Sequence, residues 1–330
     1  MKICFLDNTE FKYDSSNLDD YKLRGAEKVL INLSRELKNL GFNVTIINNC
    51  NKEKIIQGIK WLNINEYKSN QKFDIAISNG DIRFLDKVVA SKKFAISYSN
   101  QSLEKFVRKK QLKSFISNKP KIIFIGKYHK EKRNILLRCF GYEYLDLAVD
   151  DEFLNHRIDL KDKINNNQAI FTSRGDRNGH MLYNIWKNNI FNKNKKVRLL
   201  CSPIDNLKES ENCNIIFRKM VDKNDLINDL KNSRMMLVPG HKAELYCLAA
   251  EEARELCVPI VTLGIGSLKE RVQHGITGFI AKNINEFVYY TMDLFNNNSL
   301  WNEIRQNLFS MRGKYNWKLS AQKFKEVLIK

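Results

Sequence analysis

The alternation of short apolar runs with helical patterns is the feature that most constrains the fold of this chain. Eleven strand-like runs of three to six residues recur along its 330 residues, and helical patterns fall between most of them. The clearest amphipathic pattern spans 26–39, and Gly41 follows it as a stop signal. Such alternation indicates βα units and parallel sheets. The runs are 2–6, 43–47, 73–77, 94–98, 121–125, 144–149, 169–172, 197–201, 215–217, 235–238 and 260–263.

The number of strands predicts two domains rather than one. Eleven strands are too many for one comfortable sheet of this kind, and the polar segment 159–168 separates two sets of them. We therefore expect an α/β protein with two Rossmann-like parallel-sheet domains facing a cleft. The first domain is predicted at 1–160 and the second at 161–312, and a helix at 313–330 is expected to pack back toward the first. Ligands of such sheets bind at the carboxyl ends of the strands.

The composition is that of a globular protein with apolar cores. The hydrophobic fraction is 43%, with 19 Phe and 12 Tyr, which argues against a disordered chain. No apolar run approaches the roughly 18 residues of a membrane span, and residues 1–7 are too short and too polar for a signal peptide. A cytoplasmic location is therefore predicted. The seven cysteines form no CxxC pair or Cys/His cluster, and we interpret them as reduced thiols.

The net charge of +19 has three interpretations. Lysines coat solvated faces in many proteins, but a basic surface also suits nucleic acid or an anionic membrane leaflet, where each nearby Lys or Arg is worth about 1 kcal/mol. Basic residues cluster at Lys105–Lys113, with Phe106, Val107 and Leu112 among them. This pattern fits a basic amphipathic helix on a membrane, and it equally fits an ordinary surface helix. No nucleic-acid partner is expected, because no RNA-binding signature or zinc finger accompanies the charge.

Two glutamates mark the candidate functional segment at 235–281. A strand-like run and the turn Pro239-Gly240 precede Glu244, and Glu252 follows eight residues later in a helical pattern. If the whole interval were helical it would span about 12 Å, close to the reach from a nucleotide's ribose to the sugar beyond its diphosphate. Paired glutamates also occur on solvated helices and as the acid and base of glycoside hydrolysis.

The segment resembles the donor-binding half of the retaining glycosyltransferases of family 4, which have the GT-B fold. Their pattern is a glutamate before a helix, Glu-Ala within it, a small residue with Pro-Val-Val, Gly-Gly-x-x-Glu and Gly-x-x-Gly. The positions that fall in register are Glu244, Glu252-Ala253, Pro259-Ile260-Val261, Gly266, Glu270 and Gly275-Ile276-Thr277-Gly278.

The resemblance implies roles for the matching positions. Glu252 would bind the ribose hydroxyls of the donor, as an acceptor-only carboxylate can, and Glu244 would contact the transferred sugar. Gly240 and His241 in the preceding turn are further donor-site candidates, His241 as a substitute for a histidine that many relatives carry in the other domain; a lone histidine before a helix is more often a surface residue. The adjacent Glu251 falls out of register and is interpreted as a charge on the helix surface. The backbone amides that would face the diphosphate at the helix start belong to Leu245, Tyr246 and Cys247.

A second patch at 169–182 resembles the family's strand followed by Gly-Arg and Lys-Gly at a helix start. Arg174 matches the family arginine, and the family lysine falls near Arg177 or Asn178. We favour Arg177, because a cation is needed to stabilise the departing nucleoside diphosphate. With these arginines supplying the charge, neither a metal nor another cofactor is expected. The alternative is a surface loop with two solvated arginines.

The amino-terminal half carries a weaker resemblance. Gly25-Ala26-Glu27 is similar to the family's Gly-Gly-Ala-Glu loop with one glycine missing, and Gly25 would permit close approach of the donor. Many relatives carry a histidine at the end of the fourth strand, and this chain has none there. Asn79, Asp81 or Asn100 would take over the contacts on the acceptor side.

These features together predict a metal-independent retaining glycosyltransferase. It would move a hexose-type sugar from a nucleoside-diphosphate sugar to a cell-surface glycan or lipid-linked acceptor, as in polysaccharide, lipopolysaccharide or capsule synthesis. The main alternative is a GT-B-like binding protein with weak or absent catalysis, which the missing histidine keeps open. A basic nucleic-acid-binding protein is the distant alternative. The predicted location is cytoplasmic, with peripheral association to the inner face of the cell membrane through Lys105–Lys113.

Overall fold

The computed structural model describes residues 1–18, 23–68, 71–100, 102–161, 165–219 and 222–330, with the side chains of 165 and 166 also left aside. The chain divides into two compact units. One comprises 1–147 together with 317–330, and the other comprises 148–316. Each unit is built around its own sheet, as the alternating pattern of the sequence predicts.

The first unit contains an eight-stranded sheet in the order β3-β4-β2-β1-β5-β6-β7-β8. The pairings are parallel, apart from an antiparallel β3–β4 pair. The central strands are buried because helices cover parallel sheets on both faces. The strands are β1 Lys2–Leu6, β2 Asn43–Asn48, β3 Lys54–Ile56, β4 Ile59–Asn63, β5 Lys72–Asn79, β6 Val89–Ile96, β7 Lys121–Phe124 and β8 Tyr142–Tyr144.

The longest helix of the first unit, α1, runs from Gly25 to Asn39 and buries one apolar stripe. It ends before Gly41, whose φ of +90° suits glycine. The other helices of this unit are α2 Leu103–Arg108, α3 Leu112–Asn118, α4 Lys127–Lys132 and the carboxyl-terminal α13 Trp317–Ile329. Short 3₁₀ turns lie at Ser15–Asn17, Ile82–Lys87 and Ile135–Arg138.

The second unit contains a six-stranded parallel sheet in the order β11-β10-β9-β12-β13-β14. Its strands are β9 Asn165–Phe171, β10 Arg198–Cys201, β11 Ile215–Phe217, β12 Ser233–Leu237, β13 Ile260–Thr262 and β14 Gly278–Ile280. Its helices are α5 Asp151–Asn155, α6 Gly179–Ile185, α7 Phe191–Lys193, α8 Lys223–Lys231, α9 Leu248–Glu255, α10 Leu268–Arg271, α11 Ile284–Asn296 and α12 Asn298–Ser310. A π-helical turn at Trp186–Ile190 joins α6 to α7.

Each sheet has one point where the strand order reverses. In the first unit β1 lies between β2 and β5, and in the second unit β9 lies between β10 and β12. Open α/β sheets bind ligands beyond the carboxyl ends of the strands at such a switch point. The topology therefore directs attention to Asp7 and Asn79 in the first unit. In the second unit it directs attention to the loops that follow β9 and β12.

The predicted domain boundary at 160 is wrong, because the chain enters the second unit at Ala148. Val149 N–H donates to Tyr315 O at 3.2 Å, and Phe153 lies in the core of the second unit. The polar segment 159–168 leads directly into β9, and its residues 162–164 lie outside the described part of the chain. Residues 313–316 belong to the second unit.

The carboxyl-terminal helix α13 belongs to the first unit, where it packs against α1. The Lys92 ammonium donates to Ile329 O at 2.7 Å and to Leu328 O at 3.2 Å, so it satisfies carbonyls at the end of this helix.

Several sequence predictions of local structure need correction. The run 144–149 is not a strand, since β8 lies at Tyr142–Tyr144, and the hairpin strands β3 and β4 were not predicted. The segment Lys105–Lys113 is not one helix, because α2 ends at Arg108 and Lys110 has a φ of +57°. Among the described residues, no helix combines the length and apolar character that a membrane span requires.

Candidate functional site

The loop after β12 is held against the turn after β13 by close backbone contact. Gly240 has a φ of +91°, and a Cβ there would lie 2.3 Å from Ile265 O. Gly266 has a φ of +78°, and a Cβ there would lie 2.3 Å from His241 O. Only glycine combines this backbone conformation with such close approach. The Ser267 amide also donates to Glu244 O at 3.0 Å, so the backbone of this loop is fixed.

Glu244 presents its carboxylate at the carboxyl end of β12. Its Oε2 lies 3.7 Å from Arg177 Nε, and the Cys247 amide donates to the carboxylate. Burial raises the pKa of Glu244, and the positive charge of Arg177 and the Cys247 hydrogen bond partly oppose that shift. The carboxylate is thus partly desolvated and held beside a cation.

Arg177 connects the loop after β9 to the loop after β12. Its Nη1 lies 3.4 Å from His241 Nδ1, which also accepts from the Ala243 amide at 3.1 Å. Arg177, His241 and Glu244 therefore form one polar group at the switch point of the second sheet.

Arg174 and Asn178 lie beside that group but have other hydrogen-bond partners. The Arg174 side chain is 73% exposed, and it pairs with Asp176, its Nε lying 3.1 Å from Oδ1. Asn178 precedes α6 with a φ of +64° and donates its amide to Gly240 O. Arg177 and Asn178 are the two positions that could match the family lysine. Of these, only the Arg177 side chain approaches the Glu244 carboxylate.

The start of α9 differs from what the sequence predicts. Cys247 has a φ of +64° and precedes the helix, which begins only at Leu248. Its amide helps to lower the pKa of the Glu244 carboxylate, and the approach of this amide to a diphosphate stays a prediction. Leu245 and Tyr246 are buried in the same non-helical connection. Of the interval from Glu244 to the half-buried Glu252, only the part from Leu248 onward is helical. The helical length of about 12 Å expected between the two glutamates therefore does not hold.

Glu251 is not the surface charge that its position in the sequence suggests. It is buried, its Oε1 lies 2.8 Å from Arg271 Nη1, and its Oε2 pairs with Arg254. The Arg271 guanidinium also lies 4.2 Å from the centre of the Tyr246 ring. This buried group of charges anchors α9 and the connection that leads into it from Glu244.

The acceptor-side candidates of the first unit have different environments. Asn79 ends β5 and donates its Nδ2 to Asp7 Oδ1 at 3.1 Å. Asp81 caps the 3₁₀ turn at Ile82–Lys87 and is paired with Arg83 at 2.6 Å, so its carboxylate is already engaged. Asn100 is half-buried, and Gly25 is exposed at the start of α1.

Sequence reasoning missed the buried carboxylate of Asp7 in the first unit, and it named Glu27 in a motif without giving it a role. Asp7 follows β1 and Glu27 lies in the first turn of α1, and both are 4% exposed. A strand that ends on aspartate at a predicted sheet edge is a signal that could have identified Asp7. Among the described residues, no group of three His, Cys, Asp or Glu side chains is arranged to hold a metal ion.

Solved structures with this fold match almost the whole chain. Sucrose-phosphate synthase from Thermosynechococcus elongatus has a TM-score of 0.70 at 10% identity, covering 99% of this chain and 98% of that one. HepE (Alr3699) from Anabaena, in complex with UDP and glucose, has a TM-score of 0.69 at 14% identity, covering 100% and 99%. A trehalose-6-phosphate protein from E. coli, bound with UDP-2-fluoro glucose, has a TM-score of 0.68 at 11% identity, covering 99% of both.

Two family models match parts of the sequence. Residues 186–310 match the family glycosyl transferases group 1, and residues 2–195 match the caspase domain. No curated protein is significantly similar in sequence to this chain.

The structure does not support caspase chemistry in the range 2–195. That range runs across the boundary between the two units at Leu147. Three cysteines lie in that range. Burial raises the pKa of the Cys4 and Cys50 thiols, which is opposite to the shift that activates a cysteine nucleophile, and Cys139 is exposed. The fold matches, by contrast, extend over both units.

The chain therefore has the GT-B fold, and its residues 186–310 match the family model of glycosyl transferases group 1.

Proposed function

We propose that the chain transfers a hexose-type sugar from a nucleoside-diphosphate sugar to a hydroxyl-bearing acceptor, with retention at the anomeric carbon. The observation that carries this proposal is the contact of Arg177 with both Glu244 and His241 at the switch point of the second sheet. The UDP and UDP-sugar complexes of proteins with this fold support it and make UDP-sugars the first donors to test.

The chemistry needs a group that stabilises the leaving diphosphate. As the bond between the anomeric carbon and the diphosphate oxygen breaks, negative charge develops on that oxygen, and a fixed cation stabilises it best where water is scarce. Arg177 suits this role because its approaches to two carboxylates, 3.7 Å to Glu244 and 3.9 Å to Asp176, are both longer than a hydrogen-bonded ion pair. It is therefore available to a phosphate oxygen. In this proposal arginine charge, rather than a metal ion, balances the leaving group.

The two glutamates would hold the donor. Glu244 would accept hydrogen bonds from hydroxyls of the transferred sugar, and Glu252 would accept them from the ribose. The acceptor oxygen then bonds to the anomeric carbon on the face that the diphosphate leaves. The acceptor proton passes to the departing diphosphate oxygen, so the bonds and charges balance without a protein base.

A screen of nucleotide sugars tests the donor assignment. A donor present at a hundredfold excess over its dissociation constant stabilises the folded chain by about 2.7 kcal/mol. We expect one nucleotide sugar to raise the melting temperature clearly and to be hydrolysed slowly without acceptor. Stabilisation without any hydrolysis or transfer would instead support the alternative of a binding protein that has lost catalysis.

For the acceptor we propose a glycan or lipid-linked saccharide of the cell surface, used at the inner face of the membrane. The basic segment of the first unit supports this location. Val107 in α2 and Ile116 in α3 are 49% and 55% exposed beside lysines, while Phe106 and Phe115 are buried. Exposed apolar side chains among lysines favour a surface that contacts anionic lipid.

Vesicle binding tests the membrane location. The chain should pellet with anionic vesicles at low salt and be released at high salt, because screening weakens surface electrostatics. Val107→Ser with Ile116→Ser should weaken pelleting, whereas Val89→Ser, another exposed apolar position in the first unit, should not. Tight, steeply salt-dependent binding to DNA or RNA would support the nucleic-acid alternative instead.

A further inference from the structure

A cavity of about 550 Å³ lies at the amino end of the first sheet, beside β6 and β7. β7 begins opposite Phe94, so no strand of the described chain pairs with that side of β6 at 89–93. Residues around this gap line the cavity, among them Ala90 near the start of β6 and Lys121 at the start of β7. The cavity therefore lies at the opposite end of the strands from the carboxyl edge, where open α/β sheets bind their ligands.

Lysines give the cavity its charge. Its lining holds five lysines, and none of the described residues that line it is an Asp or Glu. Lys330 contributes no net charge, because the carboxylate that ends the sequence belongs to the same residue. The other four ammonium groups repel one another, and a bound anion would relieve that repulsion. They belong to Lys92, Lys93, Lys119 and Lys121.

Lys92 and Lys93 are held by neutral oxygens rather than by carboxylates. Lys92 donates to the carbonyls at the end of α13, and Lys93 donates to Asn118 Oδ1 at 2.6 Å and to Leu85 O at 3.4 Å. These partners fix the two ammonium groups and leave their positive charges unbalanced. An ammonium has three N–H donors, so each of these lysines keeps one donor for a ligand.

Asn118 separates Lys93 from the carboxylate of Asp86, which does not line the cavity. The Asn118 Nδ2 donates to Asp86 Oδ1, and Ser114 Oγ donates to Asp86 Oδ2. Burial lowers the pKa of Lys93, and the negative charge of Asp86 only partly opposes that shift. A half-buried cation of this kind attracts an anion more strongly than a solvated one does, because less water screens the charge.

Lys119 and Lys121 have weak competition for their charges. Lys119 ends α3 with a φ of +47°, its side chain is exposed, and its Nζ forms no ion pair within the described residues. Lys121 Nζ lies 3.6 Å from Glu143 Oε1, which is longer than a hydrogen-bonded ion pair. Both ammonium groups are therefore available to an anion in the cavity.

We propose that this cavity binds a phosphate-bearing ligand, with Lys93, Lys119 and Lys121 holding the phosphate oxygens. Lysine binds phosphate as a point charge, and several such charges suit a group with two or more negative charges. The volume of about 550 Å³ exceeds the needs of one phosphate and falls within the roughly 300–1,000 Å³ of small-molecule sites. Phe140 also lines the cavity and offers apolar surface to the organic part of the ligand.

Two sources could supply this phosphate chemistry, a lipid headgroup or a soluble phosphate compound. The lipid source is consistent with α3, because the exposed Ile116 precedes Ser117 and Asn118, which line the cavity. The site goes beyond the proposed sugar transfer and does not depend on it. Its residues all belong to the first unit, whereas Arg177 and Glu244 belong to the second.

Titration calorimetry with inorganic pyrophosphate at low salt tests the site. Because a diphosphate also suits the proposed donor site, every titration uses an Arg177→Ala background. The test variants are Lys119→Gln combined with Lys121→Gln, and Lys93→Gln alone. The matched control is Lys52→Gln combined with Lys60→Gln, which removes two charges near β3 and β4 at the opposite edge of the same sheet.

We expect pyrophosphate to bind the Arg177→Ala chain and to be released as the salt concentration rises. Loss of Lys119 and Lys121 should weaken binding by at least about tenfold, and Lys93→Gln should weaken it by a similar factor. The Lys52 and Lys60 control should weaken it by less than about twofold. Absence of pyrophosphate binding, an unchanged affinity in the Lys119 and Lys121 variant, or an equal loss in the control would each overturn the site.

The melting temperature of each variant is measured alongside, so that lost binding is not confused with unfolding. If the chain with both Lys119→Gln and Lys121→Gln melts early, Lys119→Gln alone replaces it, because that side chain is exposed. The single variant should still weaken pyrophosphate binding, and an unchanged affinity in a fully folded Lys119→Gln chain would count against the site.

Vesicle flotation distinguishes the two sources of phosphate. The vesicles contain phosphatidic acid in phosphatidylcholine, and vesicles of phosphatidylcholine alone are the neutral control. If a lipid headgroup fills the cavity, the Lys119 and Lys121 variant should bind the acidic vesicles less than the Lys52 and Lys60 control, and pyrophosphate should compete with them. If a soluble compound fills it, the two variants should bind vesicles equally and differ only in their affinity for pyrophosphate.

Discussion

Arg177 lies 3.7 Å from the Glu244 carboxylate, although 67 residues separate them along the chain (244 − 177). The contact joins the loop after β9 to the loop after β12, the two strands between which the order of the second sheet reverses. A cation and a carboxylate at this position meet two requirements of sugar transfer from a nucleoside diphosphate. In the proposed reaction the cation would stabilise the leaving group, and the carboxylate would hold the sugar.

Replacing Arg177 should reduce sugar transfer far more than replacing Arg174. Loss of a group aimed at the developing charge costs about 100-fold to 1,000-fold in turnover, so Arg177→Ala should fall in that range. Arg174 is 73% exposed and paired with Asp176, so Arg174→Ala should change turnover by less than about tenfold. Initial rates with saturating donor measure both. Equal losses in the two variants would show that the leaving group is stabilised elsewhere.

The raised pKa of Glu244 predicts a pH-dependent stability effect. Because burial raises this pKa above its unfolded value, the folded state holds the proton more tightly. Burial of the charged Glu244 carboxylate therefore costs no folding free energy below the pKa of Glu244 in the unfolded chain. The cost grows as the pH rises toward the pKa of Glu244 in the folded chain, and it is fully present above that pKa. Glu244→Gln should raise the melting temperature at pH 8 and leave it nearly unchanged at pH 4, while abolishing transfer. A uniform shift at both pH values would contradict the assignment.

Local features of the fold were predictable from the sequence because short-range patterns determine them. Gly41 stops α1 as expected, and most predicted strands are present with small shifts at their ends. The hairpin of β3 and β4 was missed because its residues are partly exposed and lack a continuous apolar run. The boundary at 160 is wrong because residues 165–168 of the polar segment already belong to β9, and the second unit begins at Ala148.

The site residues were predictable only where a motif carries them. Arg177 and Glu244 match a family pattern. The burial of Glu251 depends instead on packing that brings Arg271, 20 residues further along the chain, to its carboxylate. Asp7 and Asn79 are 72 residues apart and meet only through the pairing of β1 with β5. Such contacts depend on the sheet order, which no local pattern of this sequence reveals.

The stability effect of the close backbone contact at Gly266 can be measured separately from the effect of its positive φ. Gly266 and Gly275 have nearly equal φ values of +78° and +77°, but a Cβ at 266 would meet His241 O at 2.3 Å, and one at 275 would meet nothing within 4 Å. Gly275→Ala should cost only the conformational penalty of about 1–2 kcal/mol. Gly266→Ala should cost clearly more and weaken nucleotide binding, because it displaces the loop of His241 and Glu244. Denaturant unfolding and UDP titration measure both, and equal costs would contradict the role of contact.

The buried charges around Glu251 predict a large loss of stability when one partner is removed. Glu251→Gln leaves Arg271 and Arg254 without their shared carboxylate, and breaking a buried ion pair in this way costs about 3–5 kcal/mol. Glu270 also pairs with Arg271 at 3.2 Å but is more exposed, so Glu270→Gln should cost less than about 1 kcal/mol. Urea unfolding of the two variants gives the comparison. A small loss for Glu251→Gln would show that neighbouring groups or water compensate both arginines. In that case the anchoring of α9 would depend on apolar packing alone.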